Sequence, residues 1–166
     1  GVIAYSYDDG KNFTRPVTVI DTVLDDRDVG LCTFGEKGLI VTSFNNKREM
    51  QRLHARGQEK NRKAYIHSYL DTISDEEENE AIGSNFRISC NGGVTFGKIY
   101  KSPVTSPHGP IELSDGTVLW VGSNFCNDNN IEDFYEYVAA YKVNTKSGET
   151  EYSIIGTSAD DYPELP

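Results

Sequence analysis

The sequence predicts an all-β fold with one small helical insertion, and three observations lead to this prediction. Residues 84–122 divide into two pairs of strands with tight turns at Asn91-Gly92-Gly93 and Asp115-Gly116. The chain contains ten Tyr and seven Phe, which favour strands over helices. Hairpins that follow one another at such short spacing are typical of all-β proteins.

The composition limits the functions open to the chain. Its 166 residues are enough for one domain with a substantial core. A net charge of −10 argues against binding to nucleic acid and to anionic membranes. The acidic surface need have no function beyond keeping the protein soluble. No apolar run approaches the length of a membrane span. The chain starts with Gly in mid-strand, so we expect a piece of a longer protein whose compartment is left open, with a secreted or periplasmic parent as one alternative.

One turn pattern occurs twice, and we call its two copies the repeat turns. Each has a Ser, then an Asp or Asn, a Gly and a Phe at fixed offsets. The members are Ser6, Asp8, Gly10 and Phe13 in the first repeat turn, and Ser89, Asn91, Gly93 and Phe96 in the second. Ser and Asp side chains can bond nearby backbone N–H groups, and the aromatic residue is expected to attach the turn to the core. The sequence therefore contains an internal repeat.

The pattern S-x-D-x-G-x-x-F resembles the Asp-box, or BNR, repeat of sialidase-like β-propellers. The resemblance implies part of a six-bladed propeller. In that family the box joins the third and fourth strands of a blade, on the side away from the active site. We therefore expect the eight members of the repeat turns to be structural rather than functional.

The same resemblance divides the chain, 1–166, into parts of one propeller. Residues 2–20 would form an outer half-blade, and residues 110–155 a complete blade. Another blade would span 28–102, with the insertion at 45–83, and residues 156–166 would lead into a further blade. The remaining blades would come from the parent chain or from another copy of this one.

Two polar stretches precede predicted inner strands, where the resemblance implies a central pocket. Asp25 to Asp28 leads directly into the apolar strand 29–34, and His108 precedes the strand that starts near Ile111. We call Arg27, Asp28 and His108 the rim residues. Arg27 would bind a carboxylate or hydroxyl, Asp28 would accept a hydroxyl or act as a catalytic acid–base group, and His108 would bond the ligand. The alternative is an Asp–Arg pair that holds a loop and a His bonded to backbone.

The insertion at 45–83 changes from basic to acidic along its length. Ser74 and Glu77 have the spacing of a capping box, which predicts a helix over about 74–82, and the apolar spacing around Tyr65 to Leu70 indicates an earlier helix. Such a segment either packs as a solvated lobe on a sheet edge or overhangs the pocket. Its candidate ligand-selecting residues are His54, Arg56 and His67.

No metal site and no cofactor are predicted. Asp128, Asn130 and Glu132 alternate as in some calcium loops, but the twelve-residue spacing and its Gly are missing, so a surface loop is the preferred interpretation. Cys32 and Cys90 lie in strand patterns and are expected to be buried free thiols.

The resemblance implies a fragment of a sialidase-like glycoside hydrolase that acts on a carbohydrate ligand. In that family an arginine triad, a Tyr–Glu pair and an Asp acid/base carry out exo-glycosidase chemistry. These residues cannot be assigned here, so the isolated chain is expected to be inactive. The alternative is a non-catalytic Asp-box module that binds a glycan or a protein.

Overall fold

The computed structural model describes residues 1–124 and 137–157, which form three antiparallel sheets and one helical segment. Strands make up most of the regular structure, which is compatible with the predicted all-β class. The strands are β1 (Val2–Ile3), β2 (Val17–Thr18), β3 (Arg27–Phe34), β4 (Gly38–Asn45), β5 (Gly83–Ser89), β6 (Tyr100–Ser102), β7 (Val104–Thr105), β8 (Ile111–Glu112), β9 (Thr117–Asn124), β10 (Tyr137–Asn144) and β11 (Thr150–Thr157).

Four strands that are consecutive among the strands of the chain, β3 to β6, form a meander in which each strand pairs with the next. Ile40 of β4 lies opposite Cys32 on one side and Ile88 on the other. The pairing of β5 with β6 is short and begins at Phe86 opposite Tyr100. The strand that follows the second repeat turn begins only at Tyr100, beyond Phe96, the last member of that turn.

A second sheet has the order β11-β10-β9-β7, and β8 also pairs with β9. β7 and β8 lie on the same side of β9 at different heights, since Val104 is opposite Asn124 and Ile111 is opposite Leu119. The predicted Asp115-Gly116 turn is confirmed: Asp115 Oδ1 accepts the Thr117 N–H at 2.8 Å.

The largest buried apolar cluster joins these two sheets. Its members are Cys32, Ile40, Phe86, Val104, Val118, Trp120 and Ala139. Phe86 and Trp120 meet edge to face with ring centroids 5.9 Å apart. The indole N–H of Trp120 donates to Ser106 Oγ at 3.2 Å, which satisfies its polar group. Burial of each large side chain contributes about 1.5–3 kcal/mol, so this cluster holds the two sheets together.

Three helices lie between β4 and β5, where the insertion was predicted: α1 (Arg48–His54), α2 (Lys60–Leu70) and α3 (Asp75–Ala81). The predicted capping box is confirmed, because Ser74 Oγ accepts the Glu77 N–H at 3.2 Å and Glu77 Oε2 accepts the Ser74 N–H at 2.9 Å. The earlier predicted helix corresponds to α2.

α1 was not predicted because tertiary contacts hold it in place. Its N-cap, Lys47, makes no side-chain capping bond. Arg48 instead donates to Glu78 Oε2 at 3.0 Å, to the carbonyl oxygen of Ile73 and to a carboxylate oxygen of Asp75. These contacts tie α1 to α3.

A buried polar network fixes the base of the insertion. Asn45, which is 0% exposed, donates through Nδ2 to the Ala81 carbonyl oxygen at 3.0 Å and accepts the Gly83 N–H at 2.9 Å. Lys101 Nζ donates to the same Ala81 oxygen at 2.9 Å and to the Ile82 oxygen at 2.8 Å. The last carbonyl groups of α3 are thus satisfied by side chains from the sheet.

The predicted burial of two side chains, Cys90 and Phe13, was wrong. Cys90 is exposed, because β5 ends at Ser89 and the strand alternation does not continue. Cys32 is buried as predicted, and burial raises the pKa of its thiol. Phe13 is 66% exposed, since β1 and β2 pair only with each other in the described residues and offer little surface for its ring to cover.

Candidate functional site

The first rim residues lie where β3 begins. The register between β3 and β4 shifts between Arg27 and Gly30, and Asp28 has a φ of 47°, which few residues other than Gly adopt. Ser43 Oγ donates to the Arg27 carbonyl oxygen at 2.9 Å and fixes the backbone before this irregularity. The exposed Asp28 side chain therefore sits on a strained backbone.

The loop before β8 packs against the same part of β3. A Cβ atom on Gly30 would lie 2.7 Å from the backbone nitrogen of Gly109, so the two segments are closer than a side chain at position 30 would allow. Asp28 and His108 are each within two residues of this contact, and both are exposed. The structure thus brings the chain segments that carry the rim residues together at one place.

Arg27 is held from two sides. Its Nη1 lies 3.1 Å from His54 Nδ1, and its Nε lies 3.8 Å from Asp25 Oδ2. The ion pair with Asp25 corresponds to the loop-holding alternative. The contact with His54, at the end of α1, means that the helical insertion reaches the rim. Because 40% of the Arg27 side chain remains exposed, the guanidinium is oriented without being covered.

The other two insertion candidates lie elsewhere. Arg56 and His67 line a cavity of about 370 Å³, together with Arg52 and Lys63. Sequence reasoning did not single out Arg52 or Lys63. The many Lys and Arg residues in this part of the sequence indicated a basic surface. They did not indicate which of these side chains line one cavity.

A cleft of about 750 Å³ between α3 and β6 was also not predicted. Its charged lining residues are Asp21, Glu77, Glu80 and Lys101. Burial lowers the pKa of Lys101, and the nearby carboxylates of Asp26 and Glu80 oppose that shift. The Lys101 ammonium already bonds two carbonyl groups, so it serves the end of α3.

The first repeat turn closes through side-chain hydrogen bonds. Ser6 Oγ accepts the Gly10 N–H at 2.8 Å and donates to Asp8 Oδ1 at 2.9 Å. Asp8 Oδ1 also accepts the Asn12 N–H at 2.9 Å, and its Oδ2 accepts the Asn12 side-chain amide at 2.6 Å. These bonds, led by the one from the Asn12 side chain, lower the pKa of Asp8.

The second repeat turn has the same geometry. Ser89 Oγ accepts the Gly93 N–H and donates to Asn91 Oδ1, both at 2.9 Å, and Asn91 Oδ1 accepts the Thr95 N–H at 2.9 Å. The φ angles of Gly10 and Gly93 are 81° and 84°. The sequence repeat is therefore a structural repeat in which Asn91 takes the place of Asp8.

The aromatic members of the two turns differ in environment. Phe96 packs partly buried against a cluster of Val19, Ile20 and Val41, whereas Phe13 is exposed. Arg87 fastens the second turn, since Nε donates to the Gly97 carbonyl oxygen at 2.6 Å. The second turn is thus the more firmly anchored of the two.

Within residues 1–124 and 137–157, no group of three potential ligands is placed to hold a metal ion. Asp128, Asn130 and Glu132, the residues considered for a calcium loop, lie outside the described residues, as do residues 158–166 of the predicted lead-in. None of the helices in the described part of the chain has the length and apolar character needed to cross a bilayer.

Comparison of the chain with models of protein families, with curated proteins and with solved structures found no match.

Proposed function

We propose that the chain forms blades of a sialidase-like Asp-box β-propeller and that its rim residues bind a carbohydrate. The observation that carries the proposal is the pair of repeat turns with one hydrogen-bond pattern. The second turn joins β5 and β6, the third and fourth strands of the β3–β6 meander. The Asp-box of sialidase-like propellers has that same place in a blade, which supports the assignment.

The chemistry of the rim residues suits a polyhydroxyl or carboxylate ligand. A guanidinium can donate two parallel hydrogen bonds to a carboxylate, and Arg27 is already oriented by Asp25 and His54. Asp28 can accept from sugar hydroxyls, and His108 can donate or accept. Strained backbone clusters at functional sites, and the left-handed conformation of Asp28 fits that tendency.

A parent enzyme of this type would be an exo-glycosidase, with the remaining blades supplied by the parent chain or by a second copy. This chain would contribute ligand contacts and the scaffold, and we expect it to be inactive alone. The second candidate is a non-catalytic module that binds a glycan or protein. The contacts of Arg27 with Asp25 and His54 favour this second candidate. A guanidinium whose charge is partly neutralised by a carboxylate can orient a ligand, but it is less suited to stabilise the charge that develops during a reaction.

Calorimetric titration of the chain with 3′-sialyllactose and lactose tests the proposal. We expect saturable binding of at least one sugar that Arg27→Ala weakens by about tenfold or more, as for loss of a charged hydrogen bond. Arg15→Ala removes an exposed arginine that is not among the rim residues and serves as the matched control. Absence of binding to either sugar, or equal weakening by both variants, would contradict the rim assignment.

A further inference from the structure

The helical insertion concentrates positive charge in an acidic chain. Residues 46–68 contain seven of the 16 Lys and Arg residues and two Glu, whereas residues 71–80 contain six acidic residues and no basic one. Such charge separation within one lobe allows the acidic part to neutralise only those cations that face it. The cations that face elsewhere create a local positive field despite the net charge of −10.

Two of these cations are neutralised by the acidic part. Arg48 pairs with Glu78 and Asp75, and Arg52 Nη2 lies 2.6 Å from Asp71 Oδ1. In the described residues no ion pair is found for Arg56 or Lys63.

Arg56 and Lys63 meet in the cavity of about 370 Å³ formed by α1, the turn Ala55–Gly57 and α2, which we call the insertion pocket. Its lining residues are Glu49, Met50, Arg52, Leu53, Arg56, Lys63 and His67. They carry three formal positive charges against one negative. The Asp71 carboxylate holds the Arg52 guanidinium in one orientation and so preorganises a forked donor.

His67 lines the insertion pocket as well. Its Nε2 is buried and has no hydrogen-bond partner among the described residues. Burial of an unpaired polar nitrogen costs about 1–3 kcal/mol, and such groups in folded proteins usually have a partner. Because protein atoms enclose this nitrogen, a ligand in the insertion pocket would meet other atoms of His67.

We propose that the insertion pocket binds a tetrahedral oxyanion, a sulfate or phosphate group carried as an ester on a sugar. Two unpaired cations and an oriented Arg52 match a divalent or monovalent oxyanion better than they match a neutral group. Met50 and Leu53 supply apolar surface for the carbon skeleton of an ester.

The insertion pocket and Arg27 are connected through α1. Leu53 and Arg56 line the pocket, and His54 between them contacts Arg27. In this proposal a sugar bound at the rim directs its charged substituent along α1 toward the insertion pocket. The choice of a sugar ester rests on the proposed function, whereas oxyanion binding in the pocket does not.

Calorimetric titration with inorganic sulfate and phosphate at constant ionic strength tests the pocket without any sugar. We expect saturable binding that Arg56→Gln and Lys63→Gln each weaken by about tenfold or more. Arg62→Gln and Lys60→Gln remove exposed cations of α2 that do not line the pocket, and these control variants should bind as the parent does. No saturable binding, or equal weakening in all four variants, would overturn the proposal.

A second titration distinguishes the source of the oxyanion. Galactose 6-sulfate should bind more tightly than inorganic sulfate, and Arg56→Gln should remove most of the difference between galactose 6-sulfate and galactose. Galactose 6-sulfate that binds no better than inorganic sulfate would overturn the sugar-ester assignment and identify a free oxyanion as the ligand. If the rim binds no sugar but inorganic sulfate or phosphate binds in the insertion pocket, the proposed function is wrong and the assignment of the pocket as an oxyanion site is retained.

Discussion

The Tyr5 hydroxyl donates a hydrogen bond of 2.8 Å to the carbonyl oxygen of Gly93 and thereby joins the two repeat turns. The Tyr5 hydroxyl can come this close because Gly93 has no side chain. The φ of 84° at Gly93 independently favours glycine. A side chain next to the first turn thus contacts the glycine of the second. The repeat turns are therefore in contact with one another and form part of the scaffold that positions the meander.

Tyr5→Phe should destabilise the protein by about 1 kcal/mol, because it removes this hydrogen bond and leaves the ring in place. Urea unfolding followed by fluorescence measures the change. Tyr7→Phe is the control, since Tyr7 is 88% exposed and should contribute nothing measurable. Equal stability of the Tyr5 variant and the parent would mean that the contact between the turns is not stabilising.

Asp8→Asn should remove the contribution of Asp8 to the pH dependence of the free energy of unfolding. Hydrogen bonds lower the pKa of Asp8 in the folded protein. The ionised carboxylate therefore stabilises the fold fully at a pH above the pKa of Asp8 in the unfolded chain, and this stabilisation is lost as the pH falls through the pKa in the folded protein. The Asn variant should keep the turn, as Asn91 does in the second repeat turn. Thermal unfolding should separate parent and variant most at pH 7 and least near pH 3.

The neighbouring residue supplies the control for this comparison. Asp9 is exposed with a φ of 59°, a conformation that Asn tolerates well. Asp9→Asn removes the same formal charge from the same turn but none of the hydrogen bonds that Asp8 makes, so it is the matched control. A parent-to-variant difference for Asp8 that is constant over this pH range would refute the role assigned to its ionised carboxylate.

Asn45→Ala should destabilise the protein by about 2–3 kcal/mol, because it leaves the buried Gly83 N–H without its acceptor and removes a donor from the Ala81 oxygen. Hydrogen exchange should also become faster in residues 75–81. Asn46→Ala, at the next and less buried position, is the control. If both variants lose the same stability, the network is not what fixes the insertion.

Asp28→Gly should raise stability by up to about 1 kcal/mol, since glycine adopts the φ of 47° without strain. The same change should weaken sugar binding if the carboxylate contacts the ligand. Asp9→Gly relieves similar strain away from the rim and should stabilise without affecting binding. A variant of Asp28 that is more stable and binds sugar as well as the parent would exclude a ligand role for its side chain.

Local signals in the sequence predicted the elements that depend on local physics. The Ser74 and Glu77 capping box and the Asp115-Gly116 turn are determined by hydrogen bonds within a few residues, and both were confirmed. α1 was missed because its stabilising partner Arg48 contacts residues 25 to 30 positions away. The exposure of Phe13 was missed for a related reason, since it depends on which surfaces the first turn can reach.

The candidate site divides in the same way. The polar stretch at the start of β3 could be recognised from the sequence, and so could the cations of the insertion. The contact between Arg27 and His54 joins residues 27 positions apart, and it exists only because the insertion folds back onto β3. Convergence of Arg52, Arg56, Lys63 and His67 on one cavity likewise depends on how α1 and α2 pack.

The most direct test of the central claim is an NMR titration of the ¹⁵N-labelled chain with 3′-sialyllactose. If the rim binds the sugar, the largest amide shift changes will cluster at residues 27–30 and 108–109, where β3 meets the loop before β8. The repeat turns should show little change, because their side chains are engaged in hydrogen bonds within the turns. Shift changes confined to the repeat turns, or none at saturating sugar, would contradict carbohydrate binding at the rim.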